Sequence, residues 1–317
     1  MIYSSASKLQ RGTRVITALF IALGILTLAF VADWVAQVRK RPDTPDPGRP
    51  DAERIAVGFF ANFFDALGIG SFATSTTYFR LRKLVKDELI PGTLNVGYCL
   101  PTITQAFLGI TLIAVEPPTL VLMIAAAVLG SWFGAGVVSR MPKRAIQLGM
   151  GVALLVAAGF MFAKVTGLMP SADAGTLGLH GPLMALGLAG SFFLGSIMPL
   201  GIGYYAPCMI LVALLGMNPL AAFPIMMGAC AFLMPVASMK FVRAGRYSLR
   251  TTVGMAIGGV FGSALALIVV KSLNLRIVMW LVTVVVIYTG VSLLLAARRD
   301  NASARRNGQG ESASASA

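Results

Sequence analysis

The tetrapeptide Leu67-Gly68-Ile69-Gly70 recurs 133 positions later as Leu200-Gly201-Ile202-Gly203, and each copy cuts an apolar run. Two glycines this close are costly inside a helix, because glycine loses the most backbone freedom on folding. In lipid a helix can be broken only where the freed backbone faces protein or a cavity. Matching breaks in two halves of one chain point to the binding site of a membrane transporter. The pair therefore restricts the chain to a narrow set of folds before any other residue is read.

Composition supports a membrane setting. Of the 317 residues, 57 % are hydrophobic and 12 % charged, against about 25 % charged in soluble domains. Several apolar runs approach the ~20 residues that a spanning helix needs. The net charge of +14 does not signal nucleic acid, because no basic module interleaved with aromatics is present. The basic residues fall in short clusters between apolar runs, as the positive-inside rule expects. Cys99, Cys208 and Cys230, an odd number inside apolar runs, do not form a disulfide framework. With one histidine and no CxxC, neither a metal nor another cofactor is expected.

Read in order, residues 1–54 form an N-terminal hydrophobic helix and a polar, proline-rich linker. The run from Val15 to Val38 is long enough to span, with Asp33 and Trp34 near its interfacial end. Residues 55–166 form a first repeat. In it, short segments at 55–67 and 71–81 flank the first break as a re-entrant hairpin, followed by crossings near 93–113, 119–139 and 144–166. Residues 167–181 are a connecting loop. Residues 182–297 repeat the plan, with 182–200 and 203–216 around the second break and crossings near 219–240, 251–271 and 276–297. Residues 298–317, rich in Arg and then in Ser and Ala, are expected to be a disordered tail.

An offset of 133 also places Ala73 on Ala206 and Pro91 on Pro224. An offset of 128 places Gly130, Phe133 and Gly134 on Gly258, Phe261 and Gly262. Each unit has an odd number of crossings whether its hairpin counts as zero or two. Homologous units of odd parity lie inverted in the membrane. The fold class expected is thus an all-α polytopic membrane protein of two inverted repeats, each a broken-helix hairpin plus three transmembrane helices, with an extra N-terminal helix. Under that topology the basic clusters at 39–54, 80–86, 140–144, 240–250 and 298–306 share one side, and Lys164, Lys271 and Arg276 take the other. The first side is the cytoplasm by the charge rule, which also puts the C-terminus there. A spanning first helix places Lys8, Arg11 and Arg14 outside, against that rule.

A helix that restarts after a glycine break offers unpaired N–H groups and a positive dipole end, a natural anion site. The candidate substrate-binding residues are therefore Gly68, Gly70, Ser71, Thr74 and Ser75 at the first break, and Gly201, Gly203, Tyr204, Tyr205 and Cys208 at the second. Pro207 suits the first turn of the restarting helix. Asp65 is an acid well inside an apolar segment, where a carboxylate is costly and functional by default. It is the candidate carrier of a coupling proton or Na⁺, with Asn62 and Asn95 beside it. The competing reading makes Asp65 a cap for the broken helix and the asparagines interhelical glue. Lys240 and Arg243 lie where a helix leaves the membrane, either snorkelling or drawing an anion to the inner mouth. His180 sits in the connecting loop.

These residues resemble a family. Phe64-Asp65-Ala66-Leu67-Gly68-Ile69-Gly70 is similar to the stretch opening many sulfite exporter TauE/SafE permeases. The second-half counterpart is Gly195-Ser196-Ile197-Met198-Pro199-Leu200-Gly201-Ile202-Gly203, followed by Pro207. The resemblance covers roughly residues 55–297. It implies a carrier of the bacterial inner membrane with two repeated halves, moving sulfite, an organosulfonate or a related small anion, often outward. The chain differs in having Gly68-Ile69-Gly70-Ser71 in place of a longer glycine run, and in the bulky Tyr204 and Tyr205.

The expected function is a secondary transporter of a small sulfur-containing or carboxylate anion, with the lipid bilayer as its other partner. A channel-like anion uniporter is the near alternative, and a membrane scaffold or assembly protein the more distant one. An intramembrane enzyme is disfavoured, since Ser71 or Cys208 as nucleophile needs a base and the single histidine lies outside the apolar segments. No phosphate-binding loop is present, so any ATP drive must come from another chain. The sequence does not fix the oligomeric state.

Overall fold

The computed structural model describes residues 2–41, 44–66, 71–109, 115–168, 176–201, 203–218 and 221–269, with scattered positions between 284 and 298. Among these, regular structure is helical and no strand is formed. The helices are α1 (Ile2–Lys40), α2 (Ala52–Ala66), α3 (Ser71–Arg82), α4 (Ile90–Gly109), α5 (Pro117–Val138), α6 (Lys143–Val165), α7 (Gly181–Ile197), α8 (Tyr205–Leu214), α9 (Ala222–Ala244) and α10 (Leu249–Val269). Short 3₁₀ turns occupy Asp87–Leu89 and Met198–Leu200. Most of the expected crossing at 276–297, all of the tail but its first residue, and Gly68 and Gly70 lie outside the described residues.

Five described helices are long and apolar enough to cross a membrane, over Val15–Lys40, Pro117–Val138, Gly181–Leu200, Ala222–Ala244 and Leu249–Ala266. Their burial differs sharply. In α9, 78 % of the apolar window is buried, against 11 % in α1. Helix α9 is the centre of the bundle and α1 a peripheral stave. Large apolar side chains such as Leu129, Phe133, Leu186, Phe193 and Phe261 point outward. An aqueous surface would not favour so much exposed apolar area, whereas lipid does.

Two glycine interfaces tie the bundle together. Helix α10 lies against α2, where a side chain on Gly258 or Gly262 would strike the backbone carbonyls of Ile55 or Phe59. In the same interface Gly58 faces the backbone of Met255. Helix α5 lies against α7 in the same manner: Gly130 and Gly134 face the carbonyls of Phe192 and Ser196, and Gly195 faces that of Ala127. Small residues let backbones approach closely, and in lipid that close packing is what holds helices together. Helices α4 and α9 pack between these pairs, each carrying an internal proline, Pro101 and Pro235. Proline removes a helical N–H donor and bends the helix there.

The loops gather at two opposite ends. At one end the linker meets the start of α10: Leu249 and Arg250 donate backbone N–H bonds to the carbonyls of Pro45 and Asp46. There Arg54 pairs with Asp51, and Arg250 reaches Asp51 at 3.0 Å. The same end holds the Arg246 guanidinium on the Met141 carbonyl at 2.9 Å. At the other end the chain before α5 and α7 meets the chain after α8. Glu116 N–H bonds to the Leu177 carbonyl, and Asn218 N–H to that of Thr176. Helix α3 returns to the start of α2, where Arg82 and Tyr78 both donate to Glu53 at 2.8 Å. The hairpin α2–α3 thus closes at the first end, and α7–α8 at the second.

Helix α1 runs alongside this core. Phe20 stacks on Phe107 at the far end of α4, with centroids 5.1 Å apart. At its other end Asp33 pairs with Arg243 at 3.1 Å, and the Trp34 indole N–H donates to the Tyr247 hydroxyl at 3.2 Å. Asp33 and Trp34 are therefore docking residues. Arg243 is engaged by Asp33, and the Lys240 ammonium lies 3.8 Å above the Trp132 ring, so both cations anchor helices.

Candidate functional site

The site forms where the two hairpins approach inside the bundle. Helix α2 ends at Ala66 and α3 begins at Ser71. The Ser71 backbone N–H donates to one oxygen of Asp65 at 2.7 Å. The carboxylate thus neutralises the positive end of α3, which accounts for an acid at the break. The expected cap is realised with Ser71 as donor.

The other oxygen of Asp65 accepts from the Gln105 amide nitrogen at 3.0 Å. The same nitrogen donates to the Ser263 hydroxyl at 3.2 Å, and the Gln105 oxygen accepts from the Tyr205 hydroxyl at 2.8 Å. Gln105 is fully buried in α4. Its orientation follows from its neighbours, since the reverse would set an amide oxygen against a carboxylate. One amide therefore joins α2, α10 and the first residue of α8. Among the described residues no lysine or arginine acts on Asp65. Its partners are N–H donors and the positive end of the α3 dipole.

The second break is built differently. Met198–Leu200 forms a 3₁₀ turn ending on Gly201 in the left-handed region, with φ of 105°. Gly203 is also left-handed at 76°, a conformation costly to any residue with a Cβ. Helix α8 then starts at Tyr205 with Tyr204 at its N-cap, and no side chain caps it. Pro207 lies in its first turn, as expected. The Asn95 amide nitrogen donates to the carbonyls of Pro91, at 2.8 Å, and Pro199, at 3.2 Å. This holds the second hairpin's tip against α4.

Of the candidate residues, Asp65, Ser71 and Tyr205 are brought together through Gln105, and Asn95 binds the second tip. Asn62 stays within α2, donating to the Gly58 carbonyl at 2.9 Å. Ser75 bonds the Tyr98 hydroxyl. Thr74 and Ser75 face a groove of about 390 Å³ between α2 and α3, lined otherwise by Ala56, Val57, Phe60, Ala61 and Phe64, with Glu53 and Tyr78. Tyr204 and Cys208 are buried, and among the described residues the Tyr204 hydroxyl makes no well-formed hydrogen bond. His180 pairs with Glu116 at 3.1 Å in the loop region. Among the described residues no group of His, Cys, Asp or Glu could hold a metal ion. Sequence reasoning missed Gln105, Ser263 and Tyr98. Gln105 had a signal, since it is one of two side-chain amides, with Asn95, in the run from 93 to 113.

The family model of the sulfite exporter TauE/SafE matches residues 6–161. That stretch belongs to the family. It contains the first hairpin, Asp65, Gln105 and the glycines of α5. No curated protein and no solved structure matches the chain. The match to a permease family and the exposed apolar helices agree with a multi-pass membrane protein.

Proposed function

We propose that this chain is a secondary transporter that exports a small sulfur-containing or carboxylate anion across the inner membrane of a bacterium, coupled to protons through Asp65. One observation carries the reading. The Asp65–Gln105–Tyr205 chain of hydrogen bonds joins the tips of two hairpins that close at opposite ends of the bundle. A site reached from both ends is what alternating access requires.

The two halves are read as inverted repeats. Support comes from the equivalent glycine interfaces, α2 with α10 and α7 with α5, on either side of the α4–α9 pair. The domain limits are 1–54, 55–166, 167–181, 182–297 and 298–317. Basic residues Arg54, Arg246 and Arg250 collect at one end, which supports a cytoplasmic linker and C-terminus. The anion is placed at the uncapped start of α8, with Gly201, Gly203, Tyr204, Tyr205 and Cys208 around it. Ser71, Thr74 and Ser75 line the approach from the first hairpin, and Gly68 and Gly70 are kept as candidates from the sequence. Both Asp65 oxygens already accept N–H bonds. That favours exchange of a proton over a Na⁺ cage, which needs oxygen ligands. A non-enzymatic role follows from the single histidine, His180, being bonded to Glu116, away from Ser71 and Cys208.

A second reading is a uniporter in which Asp65 serves only as the α3 cap, and the Ser71 bond favours it. Flux in proteoliposomes separates the two. Sulfite, sulfate, thiosulfate, a sulfonate and a carboxylate are each tested with and without a pH gradient. Saturable, gradient-driven flux that Asp65→Asn reduces to passive exchange supports the coupled carrier. Flux that ignores both the gradient and Asp65→Asn supports the uniporter. Absence of flux for all five from folded protein overturns the transport reading.

A further inference from the structure

We infer that the Gln105 amide is a two-position relay, through which a proton on Asp65 frees the Tyr205 hydroxyl to bind the transported anion. The inference rests on the proposed proton-coupled transport and goes beyond it, by naming the residue that links proton to anion and the sign of the link.

The argument is one of donors and acceptors. With Asp65 ionised, the contacts among Asp65, Gln105 and Tyr205 all run from donor to acceptor. The carboxylate accepts from Ser71 N–H and from Gln105, whose nitrogen also donates to Ser263, while the Gln105 oxygen accepts from Tyr205. A proton arriving on the Asp65 oxygen that faces Gln105 turns an acceptor into a donor. Two donors then oppose each other in a buried site, where an unmatched polar group is costly. Rotating the amide by half a turn repairs the contact. The Gln105 oxygen now accepts from protonated Asp65 and from Ser263, whose hydroxyl can reverse its role. The Gln105 nitrogen now faces Tyr205 and donates to its oxygen. That leaves the Tyr205 O–H, which had pointed at Gln105, without an acceptor.

Tyr205 is the first residue of α8, whose start has no side-chain cap. An anion there receives the freed hydroxyl together with the unpaired amides of the first turn. The proton and the anion are thus favoured in the same state and travel together, so export runs where the outward gradient of the anion exceeds the inward pull on the proton. By linkage, each raises the affinity of the other by the same factor. The Ser71 hydroxyl of α3 also faces Asp65, but among the described residues it is Gln105 that connects Asp65 to Tyr205. Helix α4 offers Gln105 and Tyr98, α8 offers Tyr205, α9 offers Cys230 and α10 offers Ser263. Tyr98 is committed to Ser75.

The test uses the full chain in lipid nanodiscs. Infrared difference spectroscopy follows the carboxyl band of Asp65 against pH, with Asp65→Asn to assign it. Protonation of the wild type strands the Tyr205 O–H, and Tyr205→Phe has none to strand. The protonation midpoint therefore rises in Tyr205→Phe by about one pH unit, the equivalent of one hydrogen bond. In a Gln105→Met background, Tyr205→Phe produces no further shift. Tyr98→Phe, which removes a nearby phenol outside the relay, leaves the midpoint in place and serves if Gln105→Met does not fold. An unmoved midpoint in Tyr205→Phe overturns the relay. So does an equal shift in Tyr98→Phe, or a shift that persists without Gln105. Loss of pH-driven flux is a separate reading in proteoliposomes, so failure of the carrier and failure of the relay are told apart.

Discussion

The two hairpins are strapped to the bundle by the same device and finished by different chemistry. Gly58 in α2 and Gly195 in α7 each meet a backbone carbonyl of a glycine-bearing partner helix. From Gly58 to Leu67 is nine residues, and from Gly195 to Leu200 is five. The first hairpin therefore carries four more residues, about one helical turn, between strap and break. Asp65 lies in that longer stretch and caps α3. The second hairpin closes instead on a 3₁₀ turn and left-handed Gly201, and leaves α8 uncapped. A shared scaffold thus presents one tip whose positive end is already neutralised and one whose positive end is open. Charge handling and anion handling fall on opposite tips.

The sharpest way to break this contrast is at Asp65. Asp65→Ala leaves the Ser71 and Gln105 donors buried without acceptors. It is expected to cost about 2–5 kcal/mol in thermal unfolding of the detergent-solubilised protein. Asp65→Asn keeps one acceptor oxygen and is expected to cost about 1–2 kcal/mol. If alanine and asparagine cost the same, the carboxylate is not capping α3. Next in size are the straps. Gly134→Ala and Gly262→Ala each force a methyl into a backbone carbonyl. A cost of about 1–3 kcal/mol each is expected by the same measurement. Equal losses sharpen the claim of one device used twice, and a gap above ~1 kcal/mol breaks it.

Smaller effects separate the tips themselves. A side chain at Gly203 meets nothing within 4 Å, so its φ of 76° alone sets the cost. Gly203→Ala is expected to lose about 1–2 kcal/mol, and a neutral result places the turn's requirement elsewhere. Among the described residues the Tyr204 hydroxyl lies by Ser191 and Cys208 without a well-formed hydrogen bond. Tyr204→Phe is therefore expected to change stability by no more than ~0.5 kcal/mol, while weakening anion-dependent thermal stabilisation if that hydroxyl faces the anion.

Much of this was legible because it depends on local chemistry. Paired glycines announce a break wherever they fall, and an acid beside one announces a cap. The core helices followed the apolar runs, whereas α1 begins at Ile2, well before its apolar run opens at Val15. Gln105 was not legible, because its role is set by partners 40, 100 and 158 positions away in the chain. Read alone, it is one amide in an apolar helix. The docking of α1 escaped for the same reason: Asp33 and Trp34 sit where expected, but nothing near them names Arg243 or Tyr247. The packing equivalence was half legible. The offset of 128 already paired Gly130 with Gly258, but the straps Gly58 and Gly195, 137 apart, fit neither offset.

The strap on the first hairpin also governs how the protein is made. Gly258, which seats against Ile55, is synthesised 203 residues after it. At about 5–20 residues per second, the ribosome delivers that partner roughly 10–40 s later. Through this interval α2 lies in the membrane with its glycine face bare and the Asp65 break unsupported by α10. The second hairpin has no such wait, because α5 precedes α7. The newborn first half is thus a client for whatever shelters unfinished helices at the insertion machinery, and the chain becomes self-sufficient only when its penultimate stretch of apolar sequence arrives.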